Sequence, residues 1–388
     1  MGLFQAMEAS LTKSSYHQLR KQLSFQLRYW PTALVMLADL ALLCAAFYLA
    51  TRDSWWAYAA AQPLFVLVFF HNFAILHEAG HGNLSKREFV NTLTGYYASL
   101  FCFLPYFPWK FIHAEHHTWA GNVQKDPTLK LVRDFEASAH IKNSLLKFAW
   151  RSWLPLLALG QHIVFWTYPL SLLREGRLQG QRLRRAITSV LLLGITYTAL
   201  YLLFPTVFNL RVFGPSLFVY LVCVELINFP HHLGAGLFHH TEHHDRLPLW
   251  EQASVTRSCY YPPLLADLLL MNFNFHIEHH LFPDLPWYRL THARVLAKAA
   301  LGDEYRESIG IEWNLEHRGL PLEDVVLVDS DGRGAHWNLA RPTPEPTTSD
   351  AMAEPTSDEY DQLLEEVRLL KAATEAPATP ADAPTRSV

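Results

Sequence analysis

The stretch from Asn272 to Trp287 reads N-F-N-F-H-I-E-H-H-L-F-P-D-L-P-W. With no Gly or Pro ahead of Pro283 it is predicted to be helical, and positions i, i+3 and i+4 of a helix share one face. His276, His279 and His280 would then converge on one point. The same spacing recurs in H-A-E-H-H (His113, His116, His117) and in H-T-E-H-H (His240, His243, His244), while His77 and His81 form H-E-A-G-H. With 21 histidines in 388 residues, an HxxHH arises by chance on the order of 0.06 times per chain and an HxxxH about once. A single imidazole reads as a hydrogen-bonded or exposed side chain, but repetition of the triple spacing does not. Imidazoles crowded on one face are costly unless a cation holds them, and neutral imidazole is the commonest ligand of redox-capable metals.

Half of the residues are hydrophobic and the mean hydropathy is only +0.04, yet the apolar residues are clumped. Pro31 to Ala50 and Trp56 to Leu76 are each long enough to cross roughly 30 Å of hydrocarbon as helices. The four cysteines (Cys44, Cys102, Cys223, Cys259) are scattered and form no CxxC. Neither a disulfide framework nor a thiolate cluster is indicated, so a metal must rely on nitrogen and oxygen donors. A formal charge of -4 with dispersed basic residues gives no reason to expect a nucleic-acid partner.

Residues 1–29 are polar, carry Lys13, Arg20, Lys21 and Arg28, and lack the short apolar core of a cleaved signal peptide. By the positive-inside rule this segment is expected in the cytoplasm, and the second span then returns to deliver His77 and His81 on the same side. Leu93 to Trp109 is broken by Pro105 and Pro108 and is expected to dip in without crossing. Ile187 to Val207 and Pro215 to Phe229 form an out-and-back pair ending at His231 and His232. Phe148 to Leu172 is long enough to span, but a crossing there would put the later boxes opposite the earlier ones. A single metal site therefore favours four crossings, with that segment in the interface and both termini cytoplasmic. Asp39, within the first span, is read as structural; Glu225 shares a helical stripe with Asn228 and His232 and is expected to point toward the metal.

The order HxxxH, HxxHH and a late HxxHH followed by L-F-P, set on two pairs of apolar helices, resembles the membrane-bound fatty acid desaturase family over roughly residues 30–295. The resemblance implies an all-α integral membrane protein of about four transmembrane helices, with a cytoplasmic helical cap that holds the histidine boxes. It also implies two irons per chain, O₂ as oxidant, and His77, His81, His113, His116, His117, His276, His279 and His280 as ligands. Asn228-Phe-Pro-His231-His232 is similar to the Asn-x-x-x-His of acyl-CoA desaturases, which makes His232 a ninth ligand and gives Asn228 a metal-bound water to hold. Lys125-Asp126-Pro127 echoes the family context after the second box. The chain departs from the pattern at His239 to His244, whose histidines exceed what two six-coordinate irons can use and are left off the ligand set. Glu115, Glu242 and Glu278, one in each HxxHH box, are read as able to orient imidazoles.

Unactivated C–H bonds resist acid–base chemistry, so the oxidising power has to come from O₂ through a redox metal. Loss of two neighbouring hydrogens gives a double bond, and oxygen rebound gives an alcohol. The expected activity is an acyl-lipid or acyl-CoA desaturase, with a hydroxylase or ketolase of carotenoids, sterols or alkanes as the alternative. A histidine-rich metal transporter or sensor is disfavoured because no polar path crosses the predicted helices. No cytochrome b5-like His-Pro-Gly-Gly segment is present, so electrons are expected from a separate donor of ferredoxin or cytochrome b5 type. Four regions follow: a cytoplasmic segment at 1–30, the membrane catalytic domain at 31–295, a cytoplasmic extension at 296–340, and a Pro-, Thr- and Ser-rich tail at 341–388 that reads as disordered, with one apolar stripe from Tyr360 to Leu370.

Overall fold

A computed structural model describes residues 11–122, 124–129, 140–174, 180–235, 246–322 and 325, with only the backbone at 140–143. The spare histidines at 239–244, the tail beyond 341 and its Tyr360–Leu370 stripe lie outside the described residues. The described chain is almost wholly helical, with one short pair of strands. In chain order the helices are α1 (Lys13–Gln22), α2 (Trp30–Ala50), α3 (Trp55–His81), α4 (Glu88–Cys102), α5 (Tyr106–Trp119), α6 (His140–Arg151), α7 (Leu156–Arg174), α8 (Gln181–Leu203), α9 (Leu210–His232), α10 (His276–Leu281), α11 (Leu290–Leu301) and α12 (Gly310–Arg318).

By length and composition α2, α3, α7, α8 and α9 can each cross a membrane. α3 is the central one, buried along most of its length, whereas α2 and α8 leave most of their apolar side chains exposed, as lipid-facing helices do. Asp39 on α2 is buried against α3, where its carboxylate contacts His71 Nδ1 at 2.7 Å and accepts from Asn72 at 3.3 Å. The other nitrogen of His71 meets the Leu268 carbonyl at 2.6 Å. A polar group at membrane depth is thus paired between helices, the structural role expected of it.

α3 stops where it must. Gly82 follows His81 with φ of 74°, a left-handed cap that closes the helix directly behind its two histidines. α4 then rises and turns back at Phe103, which has φ of 61°, and Pro105 starts α5. The chain thus breaks at the stretch where Pro105 stands, as the prolines suggest. A Cβ on Gly95 would sit 2.3 Å from the ring of Tyr106, so only glycine lets α4 and α5 approach this closely. The Tyr106 hydroxyl donates to the Ala79 carbonyl at 3.0 Å and pins the hairpin to the end of α3.

α7 is one continuous helix, and both of its ends are tied toward the histidine end of the bundle. The N–H groups of Leu157 and Ala158 donate to Glu225 Oε1 at 3.0 Å each. Near the other end the Tyr168 hydroxyl meets Arg182, which also pairs with Glu115 in the second box. Glu225 therefore does not point at the metal positions. Its second oxygen accepts from Arg318 of α12 at 2.7 Å, with both side chains almost fully buried. The shared stripe with His232 fails as a guide because seven residues along a helix also leave room to face a different neighbour.

The non-membrane part closes around the third box. Strands β1 (Ser258–Tyr260) and β2 (Glu307–Ile309) pair in parallel, and Asn274 bonds Cys259 in both directions, at 2.7 and 2.9 Å. From the other side, α1 clasps the box. Tyr16 donates to the Leu281 carbonyl at 2.9 Å, and Arg20 grips Asp284 with two hydrogen bonds.

Removing one partner of a buried pair leaves an uncompensated charge, at a cost of about 3–5 kcal/mol, whereas removing both costs far less. Arg318→Met should therefore lower the thermal midpoint of the detergent-solubilised protein sharply, and Glu225→Gln combined with Arg318→Met should recover most of the loss.

Candidate metal centre

Nine imidazoles meet in two clusters. His77, His81, His113, His117 and His279 form one, and His116, His232, His276 and His280 the other; within each, the donor atoms lie within 4.8 Å of one another. These are the nine histidines singled out from the sequence. The clusters share a wall, since the rings of His117 and His280 stack at 4.3 Å.

The boxes do not converge as expected. The two described HxxHH boxes are each split between the clusters: His113 and His117 face one and His116 the other, while His276 and His280 face one and His279 the other. The helix period explains this. At roughly 100° per residue, i and i+4 differ by roughly 40°, whereas i+3 falls roughly 60° to the opposite side of i. The predicted long helix is also shorter than expected. Met271 and Asn272 have φ of 49° and 56°, and α10 runs only from His276 to Leu281.

Hydrogen bonding alone cannot satisfy this arrangement. His113 Nε2 lies 2.9 Å from His81 Nε2 and 3.1 Å from His117 Nε2, and His232 Nε2 lies 3.1 Å from His116 Nε2 and 2.8 Å from His276 Nε2. A neutral imidazole nitrogen has one proton or one lone pair, so it can make one such bond and not two. His77 Nε2 is buried with no hydrogen-bond partner at all. A cation at the focus of each cluster would accept those lone pairs at once. Burial, followed by the neighbouring histidines, holds His113, His117, His276, His279 and His280 well below the ordinary imidazole range. They are neutral at physiological pH, the form that binds metal.

Outer partners fix the rings. His116 Nδ1–H donates to Asp126 at 3.0 Å, which turns the lone pair of Nε2 into the cluster. Asp126 also accepts from the Thr128 hydroxyl at 2.7 Å and from the backbone N–H groups of Gly121 and Thr128. Burial alone would raise its carboxyl, but the charge and hydrogen bond of His116 and the Thr128 bond bring it below the ordinary value. His280 Nδ1–H donates to Gln252 Oε1 at 2.8 Å, and the same amide donates to the His117 carbonyl at 2.9 Å. Gln252 thus touches one residue of each cluster, and no motif marks it in the sequence. Asp126, by contrast, is legible from the Lys125-Asp126-Pro127 echo.

Among the described residues neither Glu115 nor Glu278 bonds an imidazole, and Glu242 lies outside them; in the first box Glu78 Oε1 lies 3.5 Å from His77 Nδ1 and its Oε2 accepts from the Trp287 N–H. Glu115 pairs with Arg182. Glu278 accepts from Ser258 at 2.7 Å and Tyr305 at 2.5 Å, which anchors α10; burial raises its carboxyl against the lowering effect of those two bonds. Two residues along a helix is close to half a turn, so a Glu ahead of the His pair faces away from the metal side.

Pro230 explains how His232 is aimed. Proline has no N–H, so the Leu226 carbonyl one turn earlier is left without its helical partner. Asn314 of α12 supplies the replacement, donating to that carbonyl at 2.8 Å. Arg257 closes the end of α9 by donating to the carbonyls of Pro230, Leu233 and Gly234. His231, beside His232, was not anticipated as part of this site. It is fully buried, stacks on His276 at 4.2 Å and belongs to neither cluster. Asn228 donates to the Val224 carbonyl of its own helix at 2.8 Å.

The family model for fatty acid desaturases matches residues 53–309. Among characterised proteins the chain is 25% identical over 295 residues to an Arabidopsis thaliana acyl-lipid omega-3 desaturase (cytochrome b5) of the endoplasmic reticulum, covering 70% of this chain and 71% of the plant protein. It is 27% identical over 304 residues to an sn-1 acyl-lipid omega-3 desaturase (ferredoxin) of Synechocystis sp., covering 70% and 76%.

Loss of an outer partner of a metal-binding histidine typically weakens metal affinity by about 10–100-fold. Gln252→Ala and Asp126→Ala should each do so in competition with a chelator for Fe²⁺ or Zn²⁺, and Glu115→Ala should not.

Proposed function

The chain belongs to the fatty acid desaturase family and is a membrane-bound oxidoreductase, and on that premise we propose that it is an O₂-dependent di-iron desaturase that places a double bond in the acyl chain of a membrane lipid. The observation that carries this reading is the division of nine imidazoles into two contiguous clusters of five and four. Zinc takes three or four protein ligands in one tetrahedral set, whereas paired redox metals need two adjoining nitrogen-rich sites. His77, His81, His113, His117 and His279 hold one iron, and His116, His232, His276 and His280 the other. When bound, the irons supply the oxidising power from O₂ that an unactivated C–H bond requires.

The chain's own residues shape what the irons meet. Phe273 packs against His77 at 5.1 Å and His276 at 6.0 Å, so it faces both clusters. With Ala74, Met271, Trp287 and Leu290 it lines a narrow gap beside His77, Glu78 and His279. Asn228 serves as a holder of metal-bound water.

The relatives' names carry ferredoxin and cytochrome b5, which supports a separate one-electron carrier as the reductant here. For topology we favour four crossings, with α7 embedded from one side. The ties of Leu157 and Ala158 to Glu225, and of Tyr168 to Arg182, support both ends of α7 facing the histidine side. That side is cytoplasmic by the charge of the N-terminal segment.

Expression in a host of defined lipid content tests the activity. Acyl chains with one additional double bond are expected, hydroxylated chains would favour the alternative chemistry, and no new product would overturn both. Purified anaerobically, the protein should carry two irons. His232→Ala should lose at least one of them and the product with it, and a single zinc in active protein would sink the di-iron reading. A cysteine placed near Arg184 should label only from the cytoplasmic side; labelling from outside would mean that α7 spans.

A further inference from the structure

We propose that a surface strip formed by Trp119, Lys125, Arg246 and Trp250 is the docking site for a small acidic one-electron carrier protein. The inference rests on the desaturase reading for its need of electrons; the location rests on the side chains. The chain is negative overall, at -4. Yet Trp119, half-buried at the end of α5, is flanked by two exposed cations, with Lys125 Nζ 4.3 Å and the Arg246 guanidinium 4.6 Å from its ring centroid. Arg246 leads into residues 246–255, which hold one carboxylate, Glu251. Trp250 in that segment is also half-buried, and Lys13 of α1 lies 5.9 Å from its ring.

Tryptophan and arginine are enriched where proteins bind one another, and charges around such a patch steer a partner of opposite sign. A patch of this kind on an acidic protein selects an acidic visitor. Both indoles are also close in sequence to residues of the site. Trp119 is two residues from His117. Trp250 is two residues from Gln252, whose side chain bonds the His280 ring at 2.8 Å and the His117 carbonyl at 2.9 Å. Each encounter transfers one electron, oxidising the carrier and reducing the metal centre, with no bond made or broken, and two encounters supply one turnover.

The test uses the full chain in detergent and reads binding, which is independent of turnover. The probes are a [2Fe–2S] ferredoxin and the soluble domain of cytochrome b5, each titrated at low and high salt. At least one should bind, with an affinity that falls as salt rises. Lys125→Glu with Arg246→Glu should weaken it tenfold or more, and Lys125→Gln with Arg246→Gln less. Reversal of Lys86 and Arg87, two exposed cations beyond the first box, should leave it within twofold. The proposal is overturned if neither carrier binds the unaltered protein, if the neutral and reversed pairs bind as it does, or if the Lys86 and Arg87 control weakens binding as much. Product formed with a chemical reductant is scored separately, so failure of docking is distinguishable from failure of the desaturase reading.

Discussion

The constraint on which the structure depends is the crowding of nine buried or half-buried imidazoles into two contiguous clusters. Protonated, they would repel; neutral and unligated, their Nε2 atoms cannot all be satisfied. The scaffold answers from outside by fixing Nδ1. Asp126 and Gln252 each accept an Nδ1–H, and that contact decides where the opposite nitrogen points. Most remaining polar contacts of the cap serve the same end at one remove. Thr128 steadies Asp126, the Gln252 side chain is tied to backbone carbonyls, and Ser258 and Tyr305 hold Glu278 at the base of α10.

A second theme is the repair of helices that end where ligands are needed. α3 is stopped by Gly82, α9 is interrupted by Pro230, and α10 is only six residues long. A helix of that length has no stability of its own. It persists because Tyr16, Ser258 and Asn274 hold the chain on either side of it. Asn314 does for α9 what the missing N–H of Pro230 cannot.

The histidines were legible because the spacing of a ligand set is written locally, within a turn or two of helix. Their division between clusters was also implicit in that spacing, since i+3 and i+4 fall on opposite sides of i, but it emerges only when three boxes are assembled. What could not be read locally was whatever arrives from a distance. Gln252 lies in an irregular segment with no pattern, and His231 has no sequence feature to separate it from its neighbour. Glu225 was misread for the opposite reason. Its stripe on α9 is real, but the partner that claims it, Arg318, is 93 residues later in the chain. Residues 307–318 make contacts of the same long-range kind: β2 pairs with β1, and Asn314 and Arg318 both reach α9.

The contact between Asn314 and the carbonyl left open by Pro230 also imposes an order on biogenesis. A ribosome delivers the chain from its N-terminus, so His77 to His117 are inserted long before the final ligands exist. His232 reaches its position early too, but on a helix end still missing a hydrogen bond. Only when residues up to Arg318 have emerged can α12 dock and set the last turn of α9. The smaller cluster is therefore the last part of the catalytic unit to mature, and a nascent chain that has emerged past residue 280 but not yet to residue 314 would display all nine imidazoles without a finished pair of sites.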